Sequence, residues 1–421
     1  MVSTDTRRIE EGSIFFALRG DQFDGNAFAA DALAKGAAYA VVSDPSLKGP
    51  KFFHVPDTLD ALQSLAREHR RHFLIPVIGI TGSNGKTTTK ELLTAVLSRK
   101  FNTHATQGNL NNHIGVPLTI LQLKKEHEIL VCEMGANHIG EIAALCEIAS
   151  PTHGLITNIG KAHLEGFGSL EGVKKAKGEL FDYLRAHDGF AFVNADDYAL
   201  VDISQHLPNK LKYALKEESV ADNYFLYHAT PGQPGFTIID RNNGYSISSS
   251  LFGFYNASNI LAAYSVGKYF GVPDEVLANA LSSFVSKSNR SERITWKGST
   301  IIKDAYNANP SSMELALVAF ADQYPEGWII LGDMKELGES SADAHNQIVQ
   351  KALQTKFEKI FLVGDAFKNS YLNTNQKDPR VAIFSRVEEL AERWDWPACE
   401  GKNILMKGSR SMHLEKLLEV N

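Results

Sequence analysis

Cysteine is scarce in this chain of 421 residues, which contains only Cys132, Cys146 and Cys399. Three widely spaced cysteines are too few for a disulfide framework or a structural zinc site. The chain also lacks a run of about 18 apolar residues and an N-terminal signal pattern, so we expect no membrane insertion and no secretory leader. Together these absences favour a cytoplasmic protein in a reducing compartment.

Positive charge is also limited, because 43 Lys and Arg stand against 49 Asp and Glu and give a formal net charge of −6. A chain with this balance offers no broad basic face to neutralise the phosphates of a duplex, so we expect no nucleic-acid partner. There is no internal repeat and no low-complexity segment. The composition, 43% hydrophobic and 22% charged, is typical of a globular enzyme with about two to four domains.

The most informative segment is a glycine-bearing turn between a strand and a helix. Val77–Thr81 is a β-branched apolar run that predicts a buried parallel strand. Gly82 and Gly85 let the backbone curl so that several N–H groups point at one anion, and a helix is predicted to begin near Lys86. Lys86 supplies a mobile positive charge, and the Thr87 hydroxyl can hold Mg²⁺. The segment therefore predicts a site for the phosphates of a nucleotide triphosphate.

The spacing of this loop departs from the strict Walker pattern, which requires glycine where this chain has Ile80, so the loop is a shorter G-x-x-G-K-T variant. A glycine-rich turn with an incidental lysine is the simpler alternative. It does not explain why strand, turn, lysine, hydroxyl and helix follow in that order. We therefore predict ATP binding by eight consecutive residues: Thr81, Gly82, Ser83, Asn84, Gly85, Lys86, Thr87 and Thr88.

Two further strand ends carry side chains that could serve the same site. Glu133 ends the apolar run Ile129–Cys132, where its carboxylate could complete the ligands of a Mg²⁺ held by Thr87. Capping of the next helix is the alternative role for this carboxylate. His163 follows the next predicted strand in a glycine-flanked loop, where a neutral imidazole is free to bind a metal, and a histidine without a role is the alternative.

Lys177 interrupts an apolar stripe on a predicted helix over Leu170–Leu184. The stripe recurs at helical spacing and consists of Leu170, Val173, Leu180, Phe181 and Leu184. An ammonium group among such neighbours is costly to bury unless it is paired or chemically changed. Either the side chain extends to solvent, or CO₂ converts it to a carbamate that can bind a cation. The periodicity leaves both possibilities open.

Polar residues in the second half of the chain could bind the rest of a nucleotide. Asn256 and Asn259 share one face at the start of the predicted helix Asn256–Phe270. Their amides could read the donors and acceptors of an adenine edge, although N-capping by Asn256 explains the pattern equally well. Arg290 and Asp304, the latter at a strand end, could hold phosphate and ribose.

The order of elements predicts an α/β protein with three domains. Residues 1–75 read as a small α/β unit. Residues 76–287 alternate strands and helices around the phosphate loop and then become β-rich, with a hairpin turn at Asn242–Gly244. The polar stretch Ser286–Glu292 is predicted to be a linker. Residues 288–421 predict a Rossmann-like, doubly wound domain with a site along the carboxyl edge of its sheet.

Several of these features occur together in a known family. The sequence resembles the Mur ligases in its phosphate loop, the Glu133 strand end, His163, the segment Ala176–Phe181 around Lys177, and the Asn256/Asn259 pair. Mur ligases are ATP-dependent, amide-forming enzymes of peptidoglycan assembly with three domains. The resemblance extends over essentially the whole chain and implies ATP and Mg²⁺ as cofactors.

The resemblance implies catalytic roles for three residues, Lys86, His163 and Lys177. Lys86 and the loop amides would bind the ATP phosphates, and Thr87 with Glu133 would bind one Mg²⁺. His163 and a carbamylated Lys177 would bind a second Mg²⁺.

It also implies roles for residues of the other two domains. Asn259 would contact adenine, Arg290 the nucleotide across the domain gap, and Asp304 the ribose. In the N-terminal domain the resemblance implies contacts to the UDP-sugar substrate from Thr4, Asp5, Arg7 and Asn26.

Segments of the last domain resemble the branch of the family that joins D-Ala-D-Ala to UDP-MurNAc-tripeptide: Asp304–Pro310, Leu331–Glu339 with His345, and Lys407–Arg410. The implied reaction passes through an acylphosphate on the free carboxylate and gives UDP-MurNAc-pentapeptide, ADP and phosphate. We expect a monomer with these two substrates as its partners.

Two alternatives remain in view at this point. The first is a sibling amide ligase that adds a single amino acid, such as the meso-diaminopimelate-adding enzyme or a folylpolyglutamate synthetase, and the segment Tyr306–Pro310 argues against both. The second is a P-loop switch or motor that couples hydrolysis to binding of a macromolecule. Such proteins usually have the longer Walker spacing that Ile80 breaks.

Overall fold

The computed structural model describes residues 1–20, 22–215, 224–232, 235–286 and 289–419. Three main sheets, each formed by a separate stretch of the chain, organise these residues. The predicted α/β class and three-domain organisation are thus confirmed. The predicted boundaries at 75/76 and 287/288 stay predictions, and the second lies outside the described residues. None of the described helices is both long and apolar enough to cross a membrane.

The N-terminal region is a small α/β unit. Its elements, in chain order, are β1 (Val2–Ser3), β2 (Ile14–Phe16), β3 (Arg19–Gly20), β4 (Phe23–Asp24), α1 (Ala29–Ala34), β5 (Tyr39–Val42), β6 (Phe52–His54) and α2 (Thr58–Arg71). Four of the strands form a parallel sheet in the order β1-β2-β5-β6, while β3 and β4 form a separate antiparallel pair.

Helix α2 belongs to the N-terminal region in sequence but packs on the central region. Ala66, in its middle, is buried in a core cluster made mostly of central residues. The guanidinium of Arg70, which is 6% exposed, donates to the carbonyl oxygens of Ala149 at 2.9 Å and Ser150 at 3.2 Å. These bonds satisfy carbonyls at a helix C-terminus that have no partner within their own helix. Arg70 therefore fastens the two regions to each other.

The central region carries a long mixed sheet. Its strands are β7 (Val77–Thr81), β8 (Thr103–Ala105), β9 (Ile129–Glu133), β10 (His153–Ile156), β11 (Phe190–Asn194), β12 (Lys210–Ala214), β13 (Tyr224–Pro231), β14 (Phe236–Asp240) and β15 (Ser246–Ser249). Their order is β15-β14-β13-β12-β11-β10-β7-β9-β8. Pairing is parallel from β8 to β13 and antiparallel between β13, β14 and β15, and the predicted hairpin turn falls between the last two strands.

Helices cover both faces of this sheet, because the strands β7, β9 and β10 are apolar on both sides. The helices are α3 (Lys86–Leu97), α4 (Gly115–Ile120), α5 (Glu141–Ala149), α6 (Leu164–Phe167), α7 (Leu170–Ala186), α8 (Tyr198–Ile203), α9 (Ala257–Tyr269) and α10 (Asp274–Ser282). Ile78 shares a buried cluster with Leu93 and Ile260 on one face, whereas Val77 shares another with Leu180 on the opposite face. The phosphate loop thus leaves the sheet from one of its most buried strands.

The C-terminal region is doubly wound, as predicted. Its elements are β16 (Glu292–Trp296), β17 (Ser299–Asp304), α11 (Pro310–Gln323), β18 (Trp328–Gly332), α12 (Ser341–Leu353), β19 (Lys359–Val363), α13 (Asp365–Leu372), β20 (Val381–Phe384), α14 (Val387–Glu392) and β21 (Asn403–Lys407). The sheet order is β16-β17-β21-β18-β19-β20, with β16 antiparallel at one edge and the other five strands parallel.

The predicted linker Ser286–Glu292 is wrong at its C-terminal end and lies partly outside the described residues. Glu292 is the first residue of β16 and pairs with Lys303 across the sheet edge, where the two side chains form an ion pair of 3.2 Å. The polar composition of the segment suggested a linker, but an edge strand is polar too because one of its sides faces water.

Arg70 gives a test of how the N-terminal and central regions are held together. We expect Arg70→Met to lower the free energy of unfolding by about 2 kcal/mol, because buried carbonyls lose a charged donor while the aliphatic volume stays similar. Urea unfolding followed by far-ultraviolet circular dichroism measures the change, since all four tryptophans lie in the C-terminal region.

The neighbouring Arg71 is the matched control. It lies on the same helix, its side chain is exposed, and its partner is Glu68 at the surface. Arg71→Met should change the free energy of unfolding by less than about 0.5 kcal/mol. Equal urea midpoints for the two variants would contradict the role given to Arg70.

Candidate active site

The site lies where the carboxyl ends of three adjacent parallel strands, β9, β7 and β10, meet the C-terminal region. A cavity of about 1010 Å³ opens there. The phosphate loop follows β7, Glu133 ends β9, and the loop that carries His163 follows β10. From the opposite side, Arg290, Asp304 and the segment after β17 line the same cavity.

The phosphate loop adopts a conformation that depends on its two glycines. Gly82 and Gly85 have φ of +141° and +80°, and a Cβ on Gly82 would come within 2.0 Å of the Thr157 hydroxyl. The loop rests on the segment after β10, because Asn158 accepts the N–H of Ser83 through its carbonyl and the N–H of Asn84 through its side chain, both at 3.0 Å. These two amides are therefore already paired. The first N–H groups of α3, which begins at Lys86, are the donors that helix geometry leaves for an anion.

Lys86 folds back over the loop. Its Nζ donates to the carbonyl oxygen of Gly82 at 2.6 Å, and burial lowers its pKa, with the positive charge of Arg290 acting in the same direction. The ammonium is held at the mouth of the loop. It can therefore meet the outer phosphates of a nucleotide without a change in the backbone.

Thr87 and Glu133 meet as the sequence predicts. The Thr87 hydroxyl donates to Glu133 Oε1 at 3.0 Å, and Asn111 donates to the same oxygen at 2.8 Å. The other oxygen, Oε2, is buried and has no partner in the part of the chain that the structure describes. Helix capping, the alternative role for Glu133, is wrong: the N–H groups of residues 137 and 138, ahead of α5, are bound by Glu141 instead.

The unpartnered oxygen of Glu133 fits a Mg²⁺ ion. A buried carboxylate oxygen without a donor is unfavourable by itself and becomes favourable with a cation. Mg²⁺ commonly takes one or two protein oxygens and completes its octahedron with phosphates and water. Among the described residues, no group of three or more His, Cys, Asp or Glu side chains could hold a metal by itself. Thr87 and Glu133 are the oxygens that would bind the ion beside a nucleotide.

Lys177 is buried on α7, with 1% of its surface exposed. Its Nζ donates to the carbonyl oxygen of Ala136 at 3.2 Å and lies 4.9 Å from the centre of the Phe167 ring. Burial, with help from the positive charge of Lys86, lowers the pKa of this amine to about 7. The side chain does not extend to solvent, so that sequence-based alternative is wrong. The lowered pKa favours the uncharged amine, which is the form that reacts with CO₂.

His163 bridges the two regions. It precedes α6 in a left-handed conformation with φ of +49°. Its Nδ1 lies 2.5 Å from Oε2 of Glu336, a residue of the C-terminal region. Burial lowers the pKa of His163, and the positive charge of Lys86 adds to this effect. The imidazole therefore has a carboxylate partner that the sequence did not predict.

The asparagine pair at the start of α9 is buried against the phosphate loop. Asn256 donates to the carbonyl of Phe252 and accepts from Asn259, both at 2.8 Å, and its side chain makes no cap bond. The capping explanation is thus wrong. Asn259 also accepts from Thr89 at 3.1 Å, and its Oδ1 would lie 2.6 Å from a Cβ on Gly85. Both asparagines line the cavity, where Asn259 supports the loop.

Two charged residues of the C-terminal region face the loop across the cavity. Asp304, at the end of β17, accepts from Lys407 at 2.6 Å and from the N–H of Ser291 at 3.0 Å. Arg290 stacks on the Tyr306 ring, with its guanidinium carbon 3.8 Å from the ring centre. The ion pair between Lys407 and Asp304 joins the ends of two neighbouring strands. It keeps the carboxylate in place at the cavity wall.

The residues expected to bind the UDP-sugar lie apart from this cavity. Arg7 and Asp5 form a two-point ion pair at the surface, and bonds from Arg7 lower the pKa of Asp5 to about 2. Thr4 is half-buried in the same segment. Asn26 is buried and binds both the N–H and the hydroxyl of Ser43. Asn26 thus shapes the loop beside a second cavity of about 390 Å³, lined by Ser43, Pro45, Lys48, His54, Val55 and Pro56.

Sequence reasoning gave no individual role to Asn158, Glu336 and Lys407, although Glu336 and Lys407 lie in segments that carry the family resemblance. Asn158 follows a strand directly, as Glu133 does, and the rule that strand carboxyl ends face ligands could have found it. Lys407 ends β21 in the same way. Glu336 offered no such signal, because its partner is 173 positions away and belongs to another sheet.

A mostly parallel sheet with a phosphate loop after one of its interior strands defines a nucleotide-binding protein of the P-loop class. Three family patterns match the chain: "Mur ligase family, catalytic domain" over residues 1–70, "Mur ligase middle domain" over 80–267, and "Mur ligase, glutamate ligase domain" over 289–410. The chain belongs to the Mur ligase family, and the resemblance stated from its motifs is confirmed.

Relatives of nearly equal length are known. UDP-N-acetylmuramoyl-tripeptide–D-alanyl-D-alanine ligase of Bacillus subtilis is 37% identical over 99% of this chain and 92% of its own length, and that of Escherichia coli is 34% identical with the same coverage. Among solved structures, MurF of Acinetobacter baumannii has a TM-score of 0.88 at 30% identity, covering 99% of this chain and 92% of that one. MurF ligase of Thermotoga maritima in complex with ADP has a TM-score of 0.85 at 28% identity, covering 100% and 96%.

Gly85 tests the geometry of the loop. We expect Gly85→Ala to weaken ADP binding about tenfold or more, since the new Cβ collides with Asn259 and the backbone at φ +80° resists a side chain. Isothermal titration calorimetry measures the affinity. Gly12→Ala is the control, because φ is +79° there and no atom lies within 4 Å of the added Cβ. If both variants bind ADP like the wild type, the loop does not depend on the contact with Asn259.

Proposed function

We propose that the protein joins D-Ala-D-Ala to the free carboxylate of UDP-MurNAc-tripeptide at the expense of ATP, giving UDP-MurNAc-pentapeptide, ADP and phosphate. The relatives of 32–37% identity that span the chain carry the name of this ligase. The observation that carries the proposal is the cavity between the central and C-terminal regions. The phosphate loop and Glu133, whose Oε2 has no partner among the described residues, line one cavity together with four residues of the C-terminal region: Asp304, Tyr306, Asn307 and Asn309.

The first step is transfer of the γ-phosphoryl group of ATP. An oxygen of the tripeptide carboxylate attacks the γ-phosphorus, the bond to the β–γ bridging oxygen breaks, and ADP leaves an acylphosphate behind. Lys86 and the first amides of α3 neutralise charge on the phosphates as it spreads over their oxygens. Arg290 adds positive charge from the opposite wall.

The second step forms the amide bond. The amine of D-Ala-D-Ala attacks the acyl carbon, phosphate leaves with the former carboxylate oxygen, and one proton is released. Water would destroy the acylphosphate, so the cavity has to close around it. The contacts between the central and C-terminal regions suit this need: Asn309 donates to Asn84 at 2.8 Å, and the N–H of Lys161 donates to Ser311 at 3.2 Å.

Two Mg²⁺ ions are part of the proposal. Thr87 and Glu133 would hold one, and His163 with Lys177 as a carbamate would hold the other. When bound, the ions supply positive charge that stabilises the transferring phosphoryl group. The low pKa of Lys177 and the absence of a carboxylate within its hydrogen-bond reach, among the described residues, support the carbamate. The carbamate forms when the uncharged Nζ attacks CO₂ and loses a proton.

The rest of both substrates would extend along the same edge. Asn259 and Asp304 line the cavity and would contact adenine and ribose. The N-terminal region would bind the UDP-sugar through the segment of Thr4, Asp5 and Arg7 and the loop held by Asn26. The tripeptide would then run from the N-terminal region to the phosphate loop.

Phosphate release tests the proposed function. With ATP, Mg²⁺ and UDP-MurNAc-tripeptide present, we expect release only when D-Ala-D-Ala is added, and mass spectrometry should show the pentapeptide product. Lys86→Ala should abolish release, because the phosphates lose their nearest mobile charge. Equal release without either substrate would contradict a ligase. A product with one added amino acid, formed in place of the dipeptide product, would make the protein a sibling ligase.

Lys177 tests the carbamate. We expect Lys177→Ala to lose roughly 100-fold in turnover, because a ligand of the second ion is removed. A short acid such as formate or acetate should restore part of the activity by entering the vacated space. Lys175→Ala is the control on the exposed side of the same helix and should behave like the wild type. A mild loss without rescue by any acid would show that Lys177 contributes packing alone.

A further inference from the structure

Glu336 is a residue of the C-terminal region that lines the cavity and has an unusual backbone conformation. It lies in the loop between β18 and α12 and has φ of +62°, a left-handed conformation that side chains rarely adopt outside Asn and Asp. Its side chain is 56% exposed, yet its carboxylate reaches the imidazole of His163 at 2.5 Å. His163 is left-handed as well. Two strained residues from different regions therefore meet at one contact.

The loop on both sides of Glu336 is firmly anchored. The N–H of Met334 donates to His345 Nε2, and the N–H of Lys335 donates to the hydroxyl of Ser409, both at 3.0 Å. Leu337, the next residue, is 3% exposed. A backbone conformation of this kind persists only where the surroundings impose it, and such positions concentrate at functional sites.

Asp333, before this loop, strengthens the anchor. Its carboxylate accepts the N–H of Phe367 at 3.0 Å and that of Ala366 at 3.2 Å, at the start of α13. The left-handed Gly364 packs so closely that a Cβ there would lie 2.3 Å from the Asp333 carboxyl carbon. The strand end, α12 and α13 thus hold the loop in an arrangement that places Glu336 beside His163.

A carboxylate bound to one imidazole nitrogen decides which nitrogen carries the proton. With Nδ1–H donating to Glu336, the Nε2 nitrogen keeps its lone pair, and that is the form needed by a metal ligand. Surface ion pairs alone contribute little to stability. The strain and the anchoring therefore point to orientation of the imidazole rather than to stability.

We propose that Glu336 is a positioning residue which fixes the tautomer and orientation of His163, so that the phosphoryl-transfer site is complete only when the C-terminal region is docked. This inference rests on the proposed function. It adds a role that the sequence motifs do not contain: Glu336 of the C-terminal region orients His163 of the central region for metal binding. Reaction before docking, when the acylphosphate would meet water, is thereby disfavoured.

Three substitutions at Glu336 distinguish the effect of its carboxylate from the effect of its left-handed backbone conformation. Glu336→Gln keeps an acceptor for Nδ1–H, Glu336→Ala removes it, and Glu336→Gly removes it while relaxing the left-handed backbone. We expect kcat to fall about tenfold or more in the Ala and Gly variants and less in the Gln variant, with ADP affinity unchanged in all three. Glu339→Ala, in the same loop and exposed, is the control and should match the wild type. A Gly variant as active as the wild type would overturn the proposal.

Nitrogen-15 NMR of histidine-labelled protein gives a readout that needs no substrate. The His163 resonance, assigned by its loss in His163→Gln, should show the Nδ1–H tautomer in the wild type and the Glu336→Gln variant. In Glu336→Ala it should change towards Nε2–H, at a pH where the ring is neutral. An unchanged tautomer in Glu336→Ala would refute the positioning role. If the wild type lacked dipeptide-dependent turnover, the proposed function would fail, while this measurement would still decide the role of Glu336.

Discussion

The central constraint in this protein is the adjacency of three parallel strands, β9, β7 and β10, whose carboxyl ends lie at one edge of one sheet. Parallel pairing places the phosphate loop between Glu133 on one side and the Asn158 segment on the other. The glycines at 82 and 85 are needed because neighbouring side chains occupy the space that a Cβ would require. The remaining parts of the site depend on this frame, since α7, α9 and the C-terminal region pack around it.

Charge explains why the site is divided between regions. Lys86 and Lys177 lie in a poorly solvated part of the site. The positive charges of both lysines lower the pKa of His163, and the charge of Lys86 also lowers the pKa of Lys177. The central region balances them with Glu133, and the C-terminal region adds Glu336 from the other side of the cavity. A nucleotide with its metal ions would complete this balance. The contact between the two regions and the proposed binding of the nucleotide would thus depend on the same few charges.

The parts of the fold and of the site that could be predicted from sequence are those whose residues lie close together in the chain. The phosphate loop, the Glu133 strand end and the place of Lys177 within an apolar helical stripe can each be seen in one continuous segment of the sequence. The stripe left open whether the Lys177 side chain reaches solvent, and only the structure shows that it is buried. Glu336 and the ion pair of Lys407 with Asp304 could not be derived, because they depend on how separate sheets or distant strands dock. Asn256 was ambiguous in sequence because asparagine can cap a helix or bind elsewhere, and only its hydrogen bonds to the Phe252 carbonyl and to Asn259 in the folded structure decided between them.

The central claim is that the amide bond forms through an acylphosphate between the central and C-terminal regions. Transfer of a labelled oxygen from the substrate carboxylate to phosphate tests this claim most directly. UDP-MurNAc-tripeptide labelled with ¹⁸O at both oxygens of its terminal carboxylate is incubated with ATP, Mg²⁺, D-Ala-D-Ala and the wild-type protein in unlabelled water. We predict one ¹⁸O atom in each phosphate released, because the carboxylate oxygen that attacks the γ-phosphorus leaves with the phosphate. Phosphate without label, alongside formation of the pentapeptide, would contradict an acylphosphate mechanism.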